Sequence, residues 1–332
     1  MGARDQMFWG VLVHIGYNLY LEESVELPAV FHDSPYPYFQ YSPRLQVDDR
    51  VWRDLVDYAA DNGVTAMVLD LADGIRYDSH PEIAVENAWS TERLRDEIAG
   101  LRQRGIEPLP KLNFGAGHDI WLKEYSRQVS TPVYYAVVDD LIDEVGAIFE
   151  GPRFFHLGMD EETYENQRYN EYVTIRQGDL WWNDLLRMVG RVEANGSRAW
   201  VWSDAAWHHP REYYRRMPTS VLQSNWYYNP GFDADETGRP KRVNHDDGTA
   251  YMTYLDLQDA GFDQVPTGSV FPPFDNMVGT AEFARDRLDP DRVVGMLNSV
   301  WVPPLESTRD LQMAMIDRLA EARDAYEGKR SS

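Results

Sequence analysis

Short apolar runs alternate with longer amphipathic segments along most of the chain. Eight of these runs have the length of buried strands. They cover residues 7–14, 65–70, 108–113, 154–160, 199–204, 221–226, 265–271 and 293–301. Apolar residues recur with helical spacing at residues 48–62, 91–104, 131–149, 180–194 and 307–326. Strands that alternate with helices in this way are typical of a (β/α)8 barrel, so we predict a single TIM-barrel domain over residues 1–332.

Polar or aromatic side chains stand where the predicted strands end. In a barrel of parallel strands the carboxyl ends of all strands meet on one face, and barrel enzymes keep their active sites there. A purely structural sheet would not need such residues at its strand ends. The sequence therefore predicts one site built from His14, Asp70, Asn113, Asp160, Asp204, Trp226 and Trp301.

The fourth predicted strand runs into three consecutive carboxylates. Successive side chains of a strand point to opposite faces, so His156 and Asp160 would share one side and Glu161 would lie on the other. Both acids can serve one site only where the strand stops and the backbone turns. Glu162, the third acid, is interpreted as a solvated residue in the first turn of the next helix.

Two neighbouring carboxylates favour one kind of sugar chemistry over another. The usual glycosidase pair flanks the scissile bond from separate strands, about 5 Å apart for retention and roughly 6.5–9.5 Å apart for inversion. Adjacent residues do not readily straddle a sugar. They suit a mechanism in which one carboxyl group protonates the leaving oxygen and the other steers a nucleophile that belongs to the substrate.

Composition narrows the class of partner. The chain has 55 acidic and 32 basic residues and a net charge of −23, which argues against a nucleic acid or an anionic membrane as the partner. It has no cysteine, so neither disulfides nor thiolate metal sites are available. The first residues lack a signal-peptide pattern and no apolar run is as long as a membrane span, so we expect a cytoplasmic protein. The 11 Trp, 20 Tyr and 12 Phe suit a carbohydrate ligand, since sugar rings stack on aromatic side chains.

The strand ends, taken together, resemble the catalytic barrel of glycoside hydrolase family 20, the β-N-acetylhexosaminidases. The family's His-x-Gly-Gly-Asp-Glu motif is matched at residues 156–161. Weaker matches are Gly117-His118, Trp202-Ser203-Asp204, Trp226, Tyr254-Leu255-Asp256 and the six-residue step from Gly295 to Trp301. The resemblance covers most of the chain and implies the same barrel with an O-glycosyl hydrolase activity that needs no cofactor.

The resemblance also implies roles for the matched residues. Glu161 would be the general acid, while Asp160 would orient the 2-acetamido group of the substrate and stabilise its developing positive charge. Tyr254, or one of Tyr227 and Tyr228, would bond the acetamido carbonyl. His14, Asp70, Asn113, His118, His156, Trp202, Asp204, Trp226 and Trp301 would contact the sugar, with the three tryptophans as its walls. His156 is equally compatible with a core histidine, and His118 favours an organising role in its loop over catalysis.

The chain departs from the family pattern at several positions. Met159 replaces the second glycine of the motif, and Asn113 or Phe114 stands where an acidic residue is expected. The first strand lacks the family's arginine, and no glutamate follows the last tryptophan. These changes predict a divergent relative whose sugar contacts have altered.

Two other functions remain open from the sequence. One keeps the barrel but acts on a hexose without the acetamido group, with Asp160 or Asp204 as the nucleophile. The other is a carbohydrate-binding barrel without activity. A metal at His208-His209 would need further ligands at suitable spacing, so no metal is predicted. The sequence does not decide whether the chain forms a homo-oligomer.

Overall fold

The barrel is seen in a computed structural model that describes residues 7–25, 38, 40–232 and 250–328. Within this part of the chain, eight parallel strands form one sheet. They are β1 Phe8–His14, β2 Ala66–Asp70, β3 Glu107–Lys111, β4 Phe154–His156, β5 Arg198–Trp202, β6 Leu222–Ser224, β7 Thr267–Ser269 and β8 Gly295–Ser299. The predicted (β/α)8 architecture is confirmed.

Helices follow the strands around the outside. They are α1 Asp49–Asp61, α2 Thr91–Gln103, α3 Pro132–Ile148, α4 Tyr164–Gln167, α5 Asp179–Ala194, α6 Ala205–His208, α7 Pro210–Arg216, α8 Thr253–Asp259, α9 Met277–Arg287 and α10 Arg309–Tyr326. The five helices predicted from apolar spacing are α1, α2, α3, α5 and α10. The others are mostly too short to show a clear period, and α9 has Gly279 and Thr280, two poor helix formers, in its first turn. None of the described helices is both long and apolar enough to cross a membrane.

The sheet closes on itself. Its strands lie in the order β6, β5, β4, β3, β2, β1, β8, β7. Between the two ends of this order, the Val265 N–H donates to the Gln223 carbonyl at 2.8 Å, and the Thr267 N–H donates to the Asn225 carbonyl at 3.1 Å. Since neighbouring strands are parallel, all eight carboxyl ends open on the same face.

Strand alternation divides the core into two layers. Along β1, Leu12 belongs to the cluster inside the barrel, while Val11 and Val13 pack between the sheet and the helices. Large aromatic side chains fill the inside, where the ring centroids of Phe8 and Trp200 lie 6.0 Å apart. A filled interior leaves room for a ligand at the strand ends rather than along the barrel axis.

The strands stop earlier than the apolar runs predict. β4 ends at His156, and the backbones of Gly158, Met159 and Glu161 have φ angles of 69°, 72° and 53°. The predicted strand alternation as far as Asp160 is therefore wrong, because positive φ angles take the chain out of strand geometry. The resulting turn brings Asp160 and Glu161 to the same cavity.

Candidate active site

A cavity of about 420 Å³ opens at the carboxyl ends of the strands. Its walls come from the ends of β1, β2 and β3 and from the loops that follow every strand except β5. Eight of the side chains predicted for the site line it: His14, Asp70, Asn113, His118, Asp160, Glu161, Trp226 and Trp301. The structure thus brings together residues that are up to 287 positions apart in the sequence.

Asn113 fixes the loop that carries the two acids. Its Oδ1 accepts hydrogen bonds from the Gly115 and Met159 N–H groups at 3.0 and 3.2 Å, and its Nδ2 donates to Asp160 Oδ1 at 2.8 Å. A Cβ on Gly158 would lie 2.0 Å from the same Oδ1, so this position has room only for glycine. One amide therefore sets the path of the backbone and the orientation of the Asp160 carboxylate.

His118 joins the two acids. Its Nε2 lies 3.0 Å from Glu161 Oε2 and 3.6 Å from Asp160 Oδ2. Asp204 supports the pair from behind, since its Oδ2 accepts the Glu161 N–H at 2.9 Å. Asp160 is buried, whereas the Glu161 side chain is one-third exposed to the cavity. Glu161 is thus the member of the pair that a substrate reaches more easily.

The charges in this cluster shift one another's ionisation. Burial raises the pKa of Asp160 and the Glu161 charge adds to the rise, while the charge of His118 opposes it. Burial also raises the pKa of Asp204 well above its usual range, and the Asp160 charge adds to this. Burial alone would lower the pKa of His118, but the Asp160 charge and the hydrogen bond to Glu161 raise it to about 9. At neutral pH the cluster therefore holds a protonated imidazole between two acids.

Replacing His118 by Asn is expected to remove a pH-dependent part of the stability. Because the pKa of His118 is raised in the folded state, from 6.5 to about 9, its contribution is complete below pH 6.5 and disappears as the pH rises through about 9. The difference in unfolding free energy between wild type and His118→Asn should shrink over this interval by an amount on the order of 3 kcal/mol. Urea unfolding between pH 6 and 10 measures it, and a difference that does not change with pH would contradict the assignment.

A second charged cluster lies deeper in the cavity, on neighbouring strands. His14 pairs in register with Asp70, and Asp70 pairs in register with Lys111. Asp70 Oδ2 accepts from Lys111 Nζ at 2.6 Å and lies 3.0 Å from His14 Nδ1. Burial would raise the pKa of Asp70, but the Lys111 charge and the His14 hydrogen bond hold it well below its usual range. The cavity floor is therefore an ion pair with polar groups that a sugar hydroxyl can reach.

Aromatic rings form one wall of the cavity. The rings of Trp226 and Tyr228 stack with centroids 5.2 Å apart, and Tyr228 lies 6.1 Å from Trp301. Phe274 packs on the outer side of Tyr228 at 5.7 Å. These faces are apolar and rigid, as a sugar ring requires for stacking. Of the three tyrosines considered for the acetamido carbonyl, Tyr228 lines the cavity.

Glu162 is buried, contrary to the prediction of a solvated residue. Its carboxylate accepts from Arg176 Nε at 3.1 and 3.0 Å and from Arg176 Nη2 at 2.7 Å. Arg176 also donates to Asp184 at 3.0 Å and to the Phe114 carbonyl at 2.8 Å. The Arg176 and Asp184 side chains are at most 1% exposed. This network ties the loop after β4 to the loop after β3, so it holds Glu161 against His118.

Arg176→Met is expected to destabilise the fold by about 3–5 kcal/mol, because it leaves the Glu162 and Asp184 charges buried without their partner. Arg187→Met is the matched control. Arg187 pairs with Asp139 on the surface and is 47% exposed, so its loss should cost less than about 1 kcal/mol. Urea unfolding of both variants measures the difference, and equal losses would show that the buried network contributes no more than a surface pair.

One ligand atom from each of His118, Asp160 and Glu161 lies within 4.8 Å of the other two. These are ligand types that divalent cations bind. The same donors already bond one another, since His118 Nε2 binds Glu161 Oε2. Among the described residues, no such group includes His208 or His209. In the part of the chain that the structure describes, the pair singled out in the sequence therefore has no third ligand atom within 4.8 Å of both.

Solved structures superpose on nearly the whole chain. The inactive variant of the exo-β-N-acetylglucosaminidase from Vibrio harveyi matches 96% of this chain and 54% of its own, with 15% identity and a TM-score of 0.59. The β-N-acetylhexosaminidase from Bacteroides fragilis matches 96% and 65%, with 15% identity and a TM-score of 0.61. Dispersin B matches 88% and 96%, with 16% identity and a TM-score of 0.55. The fold is that of the family 20 glycoside hydrolases.

The likeness to family 20 barrels concerns the fold. No family model matches the sequence, and no curated protein matches it either. The chain spans about half the length of the Vibrio harveyi enzyme. At 10–16% identity to these structures, the chemistry has to be argued from the residues of this chain.

The structure shows how the chain accommodates two departures from the family 20 motifs. Met159, at the second glycine position, keeps the positive φ angle of 72° that glycine tolerates, and its side chain is buried in the core. The arginine missing from the first strand leaves Lys111 as the cation on the cavity floor. A lysine within an apolar strand run, beside a strand that ends in Asp70, is the signal from which Lys111 could have been predicted.

Four predicted contacts lie outside the cavity. His156, Trp202 and Tyr254 are at most 1% exposed. Asp204 does not line the cavity and contacts the backbone of the loop that carries Asp160 and Glu161. The His156 ring packs 4.4 Å from Trp202, and its Nδ1 accepts the Gly158 N–H. His156 and Trp202 belong to the layer beneath the cavity because they are the last residues of β4 and β5, whereas Tyr254 lies on α8 and packs between the sheet and the helices. Tyr17, Tyr20, Glu165, Arg168, Tyr169, Phe271 and Phe274 line the cavity without having been predicted.

Proposed function

We propose that this protein is a retaining exo-β-N-acetylhexosaminidase in which the 2-acetamido group of the substrate acts as the nucleophile. The observation that carries the proposal is the placement of Asp160 and Glu161 side by side at one cavity, joined by His118. Glu161 protonates the glycosidic oxygen while Asp160 holds the acetamido group. The fold shared with family 20 hexosaminidases supports the same assignment of roles.

His118 keeps a proton beside the general acid. The imidazole is protonated below about pH 9, and its Nε2 lies 3.0 Å from Glu161 Oε2. The pair therefore carries a proton at neutral pH, and its transfer to Oε2 produces the carboxyl group that the leaving oxygen needs. After the bond has broken, the Glu161 carboxylate can take a proton from the attacking water.

Asp160 is placed to stabilise positive charge. Its Oδ1 accepts from Asn113, and its Oδ2 faces His118. When the acetamido oxygen attacks C1, a five-membered ring closes and positive charge develops on the acetamido nitrogen. A buried, oriented carboxylate stabilises this charge more than water would, because it needs no reorganisation during the reaction.

The rival mechanism needs an enzyme carboxylate on the other side of the sugar. Asp204 does not line the cavity and is bonded to the Glu161 backbone. Asp70 lines it but is paired with Lys111. Among the described residues the remaining lining carboxylates are Glu165 and Asp160, the rival's other nucleophile, and both lie on the same segment as Glu161 rather than across the sugar from it. This arrangement favours a nucleophile supplied by the substrate.

A panel of aryl β-glycosides tests the proposed function. We expect turnover of aryl N-acetyl-β-glucosaminide or its galactosamine analogue, and at least a 100-fold lower kcat/KM for the matching glycosides with a 2-hydroxyl group, because these lack the nucleophile. Equal rates on both kinds, or trapping of a 2-fluoro glycosyl-enzyme, would favour the rival with an Asp nucleophile. Binding of amino sugars without turnover would identify a carbohydrate-binding barrel instead.

A further inference from the structure

The cavity continues past the catalytic pair onto the segment that follows it. Glu165, Asn166, Arg168 and Tyr169 line this outer part, and Asn166 Nδ2 donates to the Glu161 carbonyl at 3.3 Å. Under the proposed function, on which this inference rests, the general acid protonates the oxygen that joins the terminal sugar to the leaving group. The leaving group therefore lies beside this segment, which we name the leaving-group rim, residues 165–169.

Arg168 brings a fixed positive charge to the rim. Its Cζ lies 4.7 Å from the centre of the Tyr169 ring, so the guanidinium rests on an aromatic face. Many arginines of this acidic chain pair with carboxylates, as Arg176 does with Glu162. Arg168 has no carboxylate within ion-pair distance in the described part of the chain, and it is the guanidinium among the described residues of the cavity wall. A positive charge with these properties is available to a ligand.

The negative charge of the whole protein makes an unpaired cation at this position important for anion binding. With a net charge of −23, the chain repels anions over most of its surface, and an anionic ligand is held only where a local cation outweighs that field. Deeper in the cavity, the charges of Lys111 and His118 are already paired with Asp70, Asp160 and Glu161. Glu165 lies on the same rim but forms no ion pair with Arg168 in the described part of the chain, so the Arg168 end of the rim is the part of the cavity that can accept a negative group.

We propose that Arg168 binds the acidic group of the leaving-group sugar, so that the substrate is a terminal N-acetylhexosamine β-linked to a sugar that carries a carboxylate or a sulfate. A guanidinium donates two parallel hydrogen bonds to such a group, which adds both energy and orientation. The Tyr169 ring, whose centre lies 4.7 Å from Cζ, supports the guanidinium. Asn166 and Glu165 bind the neutral hydroxyls of the same sugar.

Matched disaccharides test this subsite. N-acetyl-β-glucosaminyl-(1→4)-glucuronic acid and N-acetyl-β-glucosaminyl-(1→4)-glucose differ only in the oxidation state of one carbon, and the 6-sulfate of the second gives the other anion. For the wild type we expect kcat/KM on the better acidic disaccharide to exceed that on the neutral one about tenfold. Arg168→Gln should bring the ratio close to one. The control is Arg215→Gln, which removes the same charge from an exposed arginine that does not line the cavity, and it should keep the wild-type ratio.

Affinity separates this inference from the proposed function. In a Glu161→Gln background, calorimetry of the acidic disaccharide measures binding without turnover, and Arg168→Gln should weaken it about tenfold. An equal affinity in the two proteins, a ratio near one in the wild type, or an acidic preference that survives Arg168→Gln would each overturn the assignment. If the wild type hydrolysed none of the disaccharides, but Arg168→Gln still weakened binding of the acidic one, the proposed function would be overturned and the anion subsite would stand.

Discussion

Glu161→Gln is expected to lower kcat on an N-acetyl-β-glucosaminide with a poor leaving group by about 10²–10⁴-fold. Gln has the shape of Glu and can still bond His118, which lies 3.0 Å from Glu161 Oε2, but it cannot give a proton to the leaving oxygen. Steady-state rates on a disaccharide, whose leaving group is a sugar hydroxyl, and on the dinitrophenyl glycoside measure the effect. The loss should be much smaller on the dinitrophenyl glycoside, because that leaving group departs without protonation.

Glu282→Gln provides the control, since Glu282 is exposed on α9 and does not line the cavity. It should retain the wild-type rates on both substrates. If Glu161→Gln kept more than about a tenth of the rate on the poor leaving group, general acid catalysis by Glu161 would be refuted. An equal loss on both leaving groups would point to damage of the site rather than to a missing proton.

Asp160→Asn is expected to lower kcat by about 10²–10³-fold while KM changes little. The amide fills the same space and can stay near Asn113, whose Nδ2 now donates to Asp160 Oδ1 at 2.8 Å. It cannot, however, stabilise the positive charge on the acetamido nitrogen in the transition state. Since the missing interaction forms mainly in the transition state, the loss belongs in kcat. Rates and KM on an aryl N-acetyl-β-glucosaminide measure it.

Binding of a cyclic thiazoline analogue of the oxazolinium intermediate tests, independently of rates, whether Asp160 stabilises that intermediate. Wild type should bind the analogue far more tightly than the substrate, and Asp160→Asn should lose most of that advantage. The neutral sugar product should bind both proteins alike. If the variant bound the analogue as tightly as wild type does, Asp160 would not be the group that stabilises the intermediate.

The barrel could be predicted from the sequence because its cause is local. Each buried strand needs a short apolar run, and each longer helix needs an apolar stripe. The alternation of strands and helices is therefore visible in the sequence. The position of the site follows from topology, since parallel strands such as β1 and β2 place His14 and Asp70 in register at the same face. These parts of the prediction needed no knowledge of side-chain contacts.

The ends of the strands could not be predicted in the same way. The run from Phe154 to Asp160 looks continuous in the sequence, but Asn113, two residues past the end of the neighbouring strand β3, accepts the Met159 N–H and fixes the turn of the backbone there. Whether a polar residue reaches the cavity or lies beneath it depends on such contacts between distant segments. This is why His156 was placed among the sugar contacts although its ring lies in the layer below.

The buried ion pairs escaped prediction for a related reason. Glu162 follows two active-site acids and resembles a solvated helix start, and only the tertiary structure brings Arg176 onto it. The ion pair of Lys111 could have been predicted, because a lysine in an apolar run must find a partner when it is buried. Arg168 lies in a loop, where the spacing of apolar residues gives no orientation, and for the same reason the sequence named Tyr228 only as one of three candidates.

The most direct test of substrate assistance varies the nucleophile rather than the protein. In a series of aryl glycosides with N-acetyl, N-fluoroacetyl, N-difluoroacetyl and N-trifluoroacetyl groups, each fluorine makes the acetamido oxygen a weaker nucleophile while the rest of the sugar stays the same. If the acetamido oxygen is the nucleophile, kcat/KM of the wild type falls steeply along the series, by a total of at least about 10²-fold. Rates that stay level across the four substrates would contradict this mechanism, because the acetamido group would then take no part in bond formation.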